Sequence, residues 1–268
     1  MRAIRQKTEH LFEPLGIDVV RPALSWNCEG GIRQTAYQIV AKDDGGKLLW
    51  DSGKVAGAAM HARWEAAPVP PCTRVLWAVR LWDETDACGA WSKASFETGL
   101  PAGVPWQAKW ITGGYRPKRN ARYPVDCFKK TFTFTGAKKA RLYITACGLY
   151  EARLNGQRVG RFVLAPGITD YRRRVQYQSY DVTGLLQGGA NTLEVQLADG
   201  WYRGSCGAWG LRNQYGTETK LIAQLIMTNE DGSTESVCTD ESWQWSNDGP
   251  IRLADNKDGG RVDARHPE

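Results

Sequence analysis

A chain of 268 residues that is 42% hydrophobic and 24% charged has ordinary globular composition, with room for one large domain or two average ones, which excludes wholesale disorder. No apolar run approaches the roughly 18 residues a membrane-spanning helix needs, and the N-terminal MRAIRQKTEHLFEP places no apolar stretch behind its positive charges, so neither a span nor a secretory signal is expected. The net charge of +6 favours solubility and selects no partner.

Short strands punctuated by turns fill the first hundred residues. Residues 35–41 (TAYQIVA) alternate, 42–47 (KDDGGK) turn, and 48–50 restart a strand. Residues 75–82 (VLWAVRLW) alternate cleanly, with Val75, Trp77, Val79 and Leu81 on one face and a mixed face opposite, as in a half-buried antiparallel strand. After a turn at 83–89, residues 91–98 (WSKASFET) make a last strand. Residues 99–105 (GLPAGVP) read as a linker, which divides the chain into domains at 1–104 and 105–268.

Beyond the linker the pattern is again β: residues 127–134, 141–146, 149–154, 175–182, 191–197, 221–228 and 242–245. Asn155-Gly156 after YEARL and Asp231-Gly232 after LIMTNE are hairpin signals. Residues 181–187 (DVTGLLQ) can form one helical turn with Asp181 as N-cap, and no long amphipathic helix is expected. The fold class is therefore all-β, two β-sandwiches in series.

Seven scattered cysteines without a CxxC pair, and three distant histidines, make a structural zinc site unexpected and reduced cytoplasmic thiols the default. No GxSxG elbow, HExxH, P-loop or GxGxxG after a strand is present. Ser205 and Cys206 in GSCGAWG (204–210) lack a placed histidine and read as loop residues. Basic patches at 116–122 (RPKRNAR), 171–174 (YRRR) and 138–139 read as solvated loops and charged strand edges; no nucleic acid is expected.

The informative segment is 198–219 (ADGWYRGSCGAWGLRNQYGTET), a long loop between two strands. With 12 Trp and 10 Tyr in the chain, most rings are sandwich core, but such a loop also has the make-up of a sugar site: Trp201, Tyr202 or Trp209 for stacking, and Asp199, Arg203 and Asn213 for hydroxyls. Asp199 with other oxygen ligands is also a candidate for calcium. The competing reading is that the rings plug an end of the sandwich or face a neighbouring domain.

PLGIDVVRPALSW (14–26), RQTAYQIV (33–40), LLWDSGKV (48–55), WAVRLWDE (77–84) and WSKASFETGL (91–100) resemble the N-terminal region of bacterial α-L-rhamnosidases. The resemblance continues in order through ARLYITACGLYEARLNGQRVG (140–160), APGITDY (165–171), VQYQSYDVTGLL (175–186), ADGWYRG (198–204), TDESW (239–243) and VDAR (262–265). It implies a fibronectin-III-like sandwich followed by a jelly-roll sandwich that resembles a carbohydrate-binding module. It further implies a catalytic (α/α) barrel beyond Glu268 in full-length relatives, and hence no hydrolysis of rhamnosides by this chain alone. The partners implied are that catalytic domain and L-rhamnose-containing glycans, with calcium in some relatives. The ADGWYRG match carries the sugar site onto Asp199, Trp201, Tyr202 and Arg203. A lectin-like rhamnose-binding module and a purely structural pair of domains remain the alternatives. Two departures stand out: Ile168 where the family often has Trp, and DGGR at 258–261 where DGE-like residues are usual.

Overall fold

The computed structural model describes residues 1–101, 103–118, 121–136 and 138–266; Ala102 of the linker and Arg119 and Asn120 of the first basic patch lie outside the described residues. The chain divides into two compact units, Met1–Pro105 and Trp106–Glu268. Nearly every regular element is a strand, and the one α-helical element among the described residues is the single turn Gly200–Arg203. No helix among them is long and apolar enough to cross a membrane.

In the first unit, strand Arg74–Trp82 lies between Ala36–Asp43 and Ser92–Thr98, with Leu48–Asp51 and Leu15–Ile17 completing the path of a larger sheet and Val55–Ala56 pairing off it. A second sheet orders Arg2–Thr8, Ala23–Glu29 and His61–Arg63. The alternation read for residues 75–82 holds: Val75, Trp77, Val79 and Leu81 are all 1% exposed or less. They meet Ala3, Leu24, Trp26, Trp50 and Trp64 in one core, to which Trp26, Trp50, Trp64 and Trp77 contribute large buried rings. The strands within the first thirty residues escaped the sequence reading. Arg2–Thr8 and Ala23–Glu29 are polar or mixed (RAIRQKT, ALSWNCE) and owe their conformation to pairing with each other.

The second unit is a sandwich of two antiparallel sheets. One orders Gln157–Arg158, Leu149–Leu154, Gly189–Ala198, Asp126–Phe134 and Gln244–Ser246; the other orders Gln178–Asp181, Lys139–Cys147, Lys220–Thr228 and Thr234–Cys238. Phe128, Leu193 and Val195 from the first sheet pack with Leu142, Ile144 and Leu225 from the second. A separate ribbon, Ile251–Asp255 with Gly259–Val262, closes the chain.

Asn155 and Gly156 both take left-handed φ (53° and 77°) between Leu149–Leu154 and Gln157–Arg158, the twist a two-residue hairpin requires. The helical turn read at 181–187 is instead a 3₁₀ turn, Thr183–Leu185, whose N-cap by backbone angle is Val182. Asp181 still acts on that turn, because its Oδ1 accepts the Thr183 amide at 3.0 Å and the Thr183 hydroxyl at 2.6 Å. Residues 175–177 stay outside the strand, which begins at Gln178, where pairing with Ile144 begins.

Trp77→Ala removes the largest fully buried side chain of the first core. It is expected to lower stability by about 3–5 kcal/mol in denaturant unfolding.

Candidate functional site

Residues 199–219 leave strand Gly189–Ala198 of one sheet and return as Lys220–Thr228 of the other, so the loop spans one end of the second sandwich. It opens with the helical turn Gly200–Arg203. Gly200 has φ +53°, and a Cβ there would lie 2.7 Å from Leu149 Cγ and 2.9 Å from the Gly148 carbonyl carbon. Both the left-handed backbone and the close approach require glycine.

That turn brings Asp199 and Arg203 together in the interior, 3% and 2% exposed. Asp199 Oδ1 accepts Arg203 Nε at 2.8 Å, and its Oδ2 accepts an Arg212 guanidinium nitrogen at 2.5 Å. Arg203 also donates to the Tyr115 hydroxyl at 2.7 Å and lies over the Tyr123 ring, 5.1 Å from its centroid. Beyond Arg212 stand Asp255 at 3.7 Å and Asp258 at 3.8 Å. Asp255 holds the Ser205 amide at 2.9 Å, and Asp258 receives the Ser205 hydroxyl at 2.7 Å and the Arg122 guanidinium. Asp199, Asp255 and Asp258 thus face Arg203, Arg212 and Arg122, in a network buried at Asp199, Arg203 and Asp255 and open to solvent at Arg122 and Asp258. Opposite charges held this close offset the cost of burying its inner members.

Asp126 adjoins it, accepting Tyr115 (3.2 Å), Thr219 (3.1 Å) and Trp245 Nε1 (3.1 Å). Burial raises the Asp126 carboxyl above its ordinary value, opposed by the Trp245 bond and the Arg203 charge. Burial also pushes the Tyr115 phenol up to about 12, against the pull of Arg203. Both bonds from Ser205 and Arg122 hold Asp258 below the ordinary carboxylate range. Cys206 is not activated: burial, aided by Asp255, raises its thiol, and its Sγ contacts the Trp201 carbonyl at 3.3 Å.

The residues picked out in the loop therefore occupy two levels. Asp199 and Arg203 lie below, bonded to one another. Asn213 takes the left-handed conformation (φ 58°) and its amide donates to the Arg203 carbonyl at 2.9 Å, closing the loop over the turn. Tyr202 is half-buried among Tyr215 (centroids 6.5 Å, stacked) and Tyr171 (5.4 Å), and Trp201 is likewise half-buried. Trp209 stands on the outside, 90% exposed, on an open cleft of about 200 Å³ shared with Ile168, Leu211, Gln214 and Tyr215. Asp199 does not suit a calcium ion, because guanidinium groups already take both of its oxygens. Among the described residues no group of three or more His, Cys, Asp or Glu side chains gathers for a metal.

The chain matches known proteins over both units. The family description "Alpha-L-rhamnosidase N-terminal domain" matches residues 135–268, half of the chain, and "Rha78A-like, N-terminal immunoglobulin domain" matches residues 3–102. The chain belongs to the α-L-rhamnosidase N-terminal domain family. An α-L-rhamnosidase of Formosa agariphila is 34% identical over 98% of this chain and 31% of its own length. The solved α-L-rhamnosidase of Aspergillus terreus superposes with a TM-score of 0.90 at 33% identity, over 99% of this chain and 32% of that one. The Streptomyces avermitilis α-L-rhamnosidase complexed with L-rhamnose gives 0.91 at 25% identity, over 99% and 43%. The chain thus spans about a third of the length of the curated relatives it matches.

Arg212, Asp255, Tyr115 and Asp126 are not marked by the sequence, while Arg122 reads there only as part of a solvated basic patch and Asp258 only as part of the departure at 258–261. Their partners lie up to 136 positions away, as for Arg122 with Asp258, and no local spacing marks such pairs. The one available signal was the departure at 258–261, since Asp258 belongs to the network. Ile168, the other departure from the family pattern, lines the Trp209 cleft.

Asp199→Ala leaves Arg203 and Arg212 buried without their shared carboxylate. The expected loss is about 3–5 kcal/mol of stability in denaturant unfolding, with Asp199→Asn intermediate. Asp126 holds its proton more tightly folded than unfolded. Its contribution is therefore greatest below the ordinary value of 3.8 and declines as pH rises through the raised folded value. Urea titrations across that interval are expected to show the wild-type stability, taken relative to Asp126→Asn, falling with rising pH.

Proposed function

We propose that this chain is the non-catalytic β-sandwich portion of an α-L-rhamnosidase whose complete polypeptide hydrolyses terminal α-L-rhamnosides. In this reading it supports the catalytic domain and holds rhamnosylated glycan at the Trp209 surface. The observation that carries the reading is the two-level loop: an exposed indole on a cleft, anchored from below by the buried Asp199–Arg203–Arg212 cluster. An anchored loop presents its ring without a large ordering cost on binding.

L-Rhamnose is a 6-deoxy sugar, with a methyl group where most hexoses carry a hydroxymethyl. The apolar Ile168 and Leu211 beside Trp209 suit that methyl and the C–H face of the ring, while Gln214 supplies a hydrogen-bonding group. Of the loop residues picked out from the sequence, Trp209 then contacts sugar, with Trp201 and Tyr202 behind it. Asp199, Arg203 and Asn213 act through the shape of the loop. The same exposed Ile168, Leu211 and Trp209 favour a second reading, in which this surface docks protein and the chain is scaffold alone.

Calorimetric titration with L-rhamnose, with and without calcium, separates the two. The expected outcome is weak, calcium-independent binding lost in Trp209→Ala, and no turnover of an aryl α-L-rhamnoside by the chain alone. Absence of heat at millimolar sugar, with the protein shown to be folded, overturns the sugar site and leaves the scaffold. Turnover by the chain alone overturns its non-catalytic assignment.

A further inference from the structure

The first unit carries a cleft that the rhamnoside reading does not use. Strand Arg2–Thr8 slips register against Ala23–Glu29 between Ile4 and Lys7, and within the slip Arg5 takes φ +51°. Two more left-handed residues, Glu9 (φ 49°) and His10 (φ 65°), then turn the chain, closed by reciprocal 2.9 Å bonds between Thr8 and Leu11. Left-handed backbone at non-glycine residues is costly and gathers at ligand sites. Here it places Arg5, Lys7, His10 and Phe12 around one open cleft of about 450 Å³, with Ser25 and Asn27 of the partner strand.

Three properties of this cleft define a ligand. First, it is cationic: among the described residues no carboxylate lies within ion-pair distance of Arg5, Lys7 or His10. Of the nearby acids, Glu29 is paired with Arg2 at 2.6 Å, and Glu9, which keeps its charge, is turned onto the Ala23 amide at 2.6 Å. Second, it has an apolar platform, since the Phe12 ring is 61% exposed with Lys7 Nζ held 4.8 Å from its centroid. Third, Ser25 and Asn27 add neutral hydrogen-bonding groups. A small inorganic anion needs no ring, and a nucleic acid calls for a wider basic face.

We infer that the cleft framed by Arg5, Lys7 and Phe12 binds a carboxylate-bearing sugar residue, a uronate, of an acidic saccharide. The guanidinium of Arg5 offers paired donors to the carboxylate, Lys7 adds a point charge, Phe12 takes the C–H face, and Ser25 and Asn27 meet hydroxyls. The choice of a saccharide rests on the proposed function; the anionic character rests on the cleft alone.

The test is titration of the whole chain with an oligogalacturonate trimer at low and raised salt, followed by calorimetry and amide NMR. L-Rhamnose and a short poly-L-glutamate serve as probes of neutral sugar and of generic polyanion. The expected result is salt-sensitive trimer binding that moves the amides of Lys7, His10 and Asn27. It weakens about tenfold or more in the Arg5→Gln/Lys7→Gln variant, as loss of charge-assisted pairs implies. Both positions lie near the surface, and an unchanged circular dichroism spectrum verifies the fold of the variant. No binding, binding unchanged in the variant, or equal binding of poly-L-glutamate overturns the inference. Trimer binding at this cleft without any L-rhamnose binding overturns the rhamnose site in the second unit and leaves this one standing.

Discussion

At one end of the second sandwich, Asp199 is shared between Arg203 and Arg212 in a place water hardly reaches. Isolated, any of these charges would be costly to bury, and together they are stable only in a narrow geometry. That geometry dictates much around it. The helical turn Gly200–Arg203 places Arg203 four residues after Asp199, Asn213 closes back onto the Arg203 carbonyl, and the ribbon Ile251–Asp255 with Gly259–Val262 brings in Asp255 and Asp258. The network thereby ties the 199–219 loop to the C-terminal ribbon and, through Tyr115 and Arg122, to the segment before the first strand of the unit.

This arrangement pairs off, beneath the loop, charged residues that look like sugar ligands in the sequence. An aspartate and an arginine beside tryptophan and tyrosine suit hydroxyl recognition, yet here they shape the loop, and the outer surface is left to Trp209, Ile168, Leu211 and Gln214. A division of this kind, with polar groups beneath and a ring above, gives the loop a definite form without its own secondary structure. Most of the chain's other rings serve packing, as Trp26, Trp64 and Trp77 do in the first core.

The two units solve the same β problem with different means. The first relies on tryptophan-rich packing between a large sheet and a small one, whose outer strand is bulged at Arg5. The second relies on a strand, Lys139–Cys147, buried along nearly its whole length between two neighbours. Arg141 within that strand is tolerated because Asp181, at the neighbouring strand's end, pairs with it at 2.8 Å.

Alternation and turn chemistry by themselves determined the all-β class and most strands of the second half. They also marked the inward face of 75–82 and the Asn155-Gly156 hairpin, because these depend on neighbours within a few residues. The ordered motifs were enough to point to the rhamnosidase family. Tertiary structure alone decided the strands of the N-terminal segment, whose mixed residues become β through pairing partners on a strand well beyond the local sequence, from Thr8 with Leu24 to Arg2 with Glu29. It alone decided, too, that Asp199 faces two arginines rather than solvent, since Arg212, Asp255 and Asp258 reach that spot only after the sheets have packed. Burial and long-range charge pairing are properties of the assembled fold, and no local pattern encodes them.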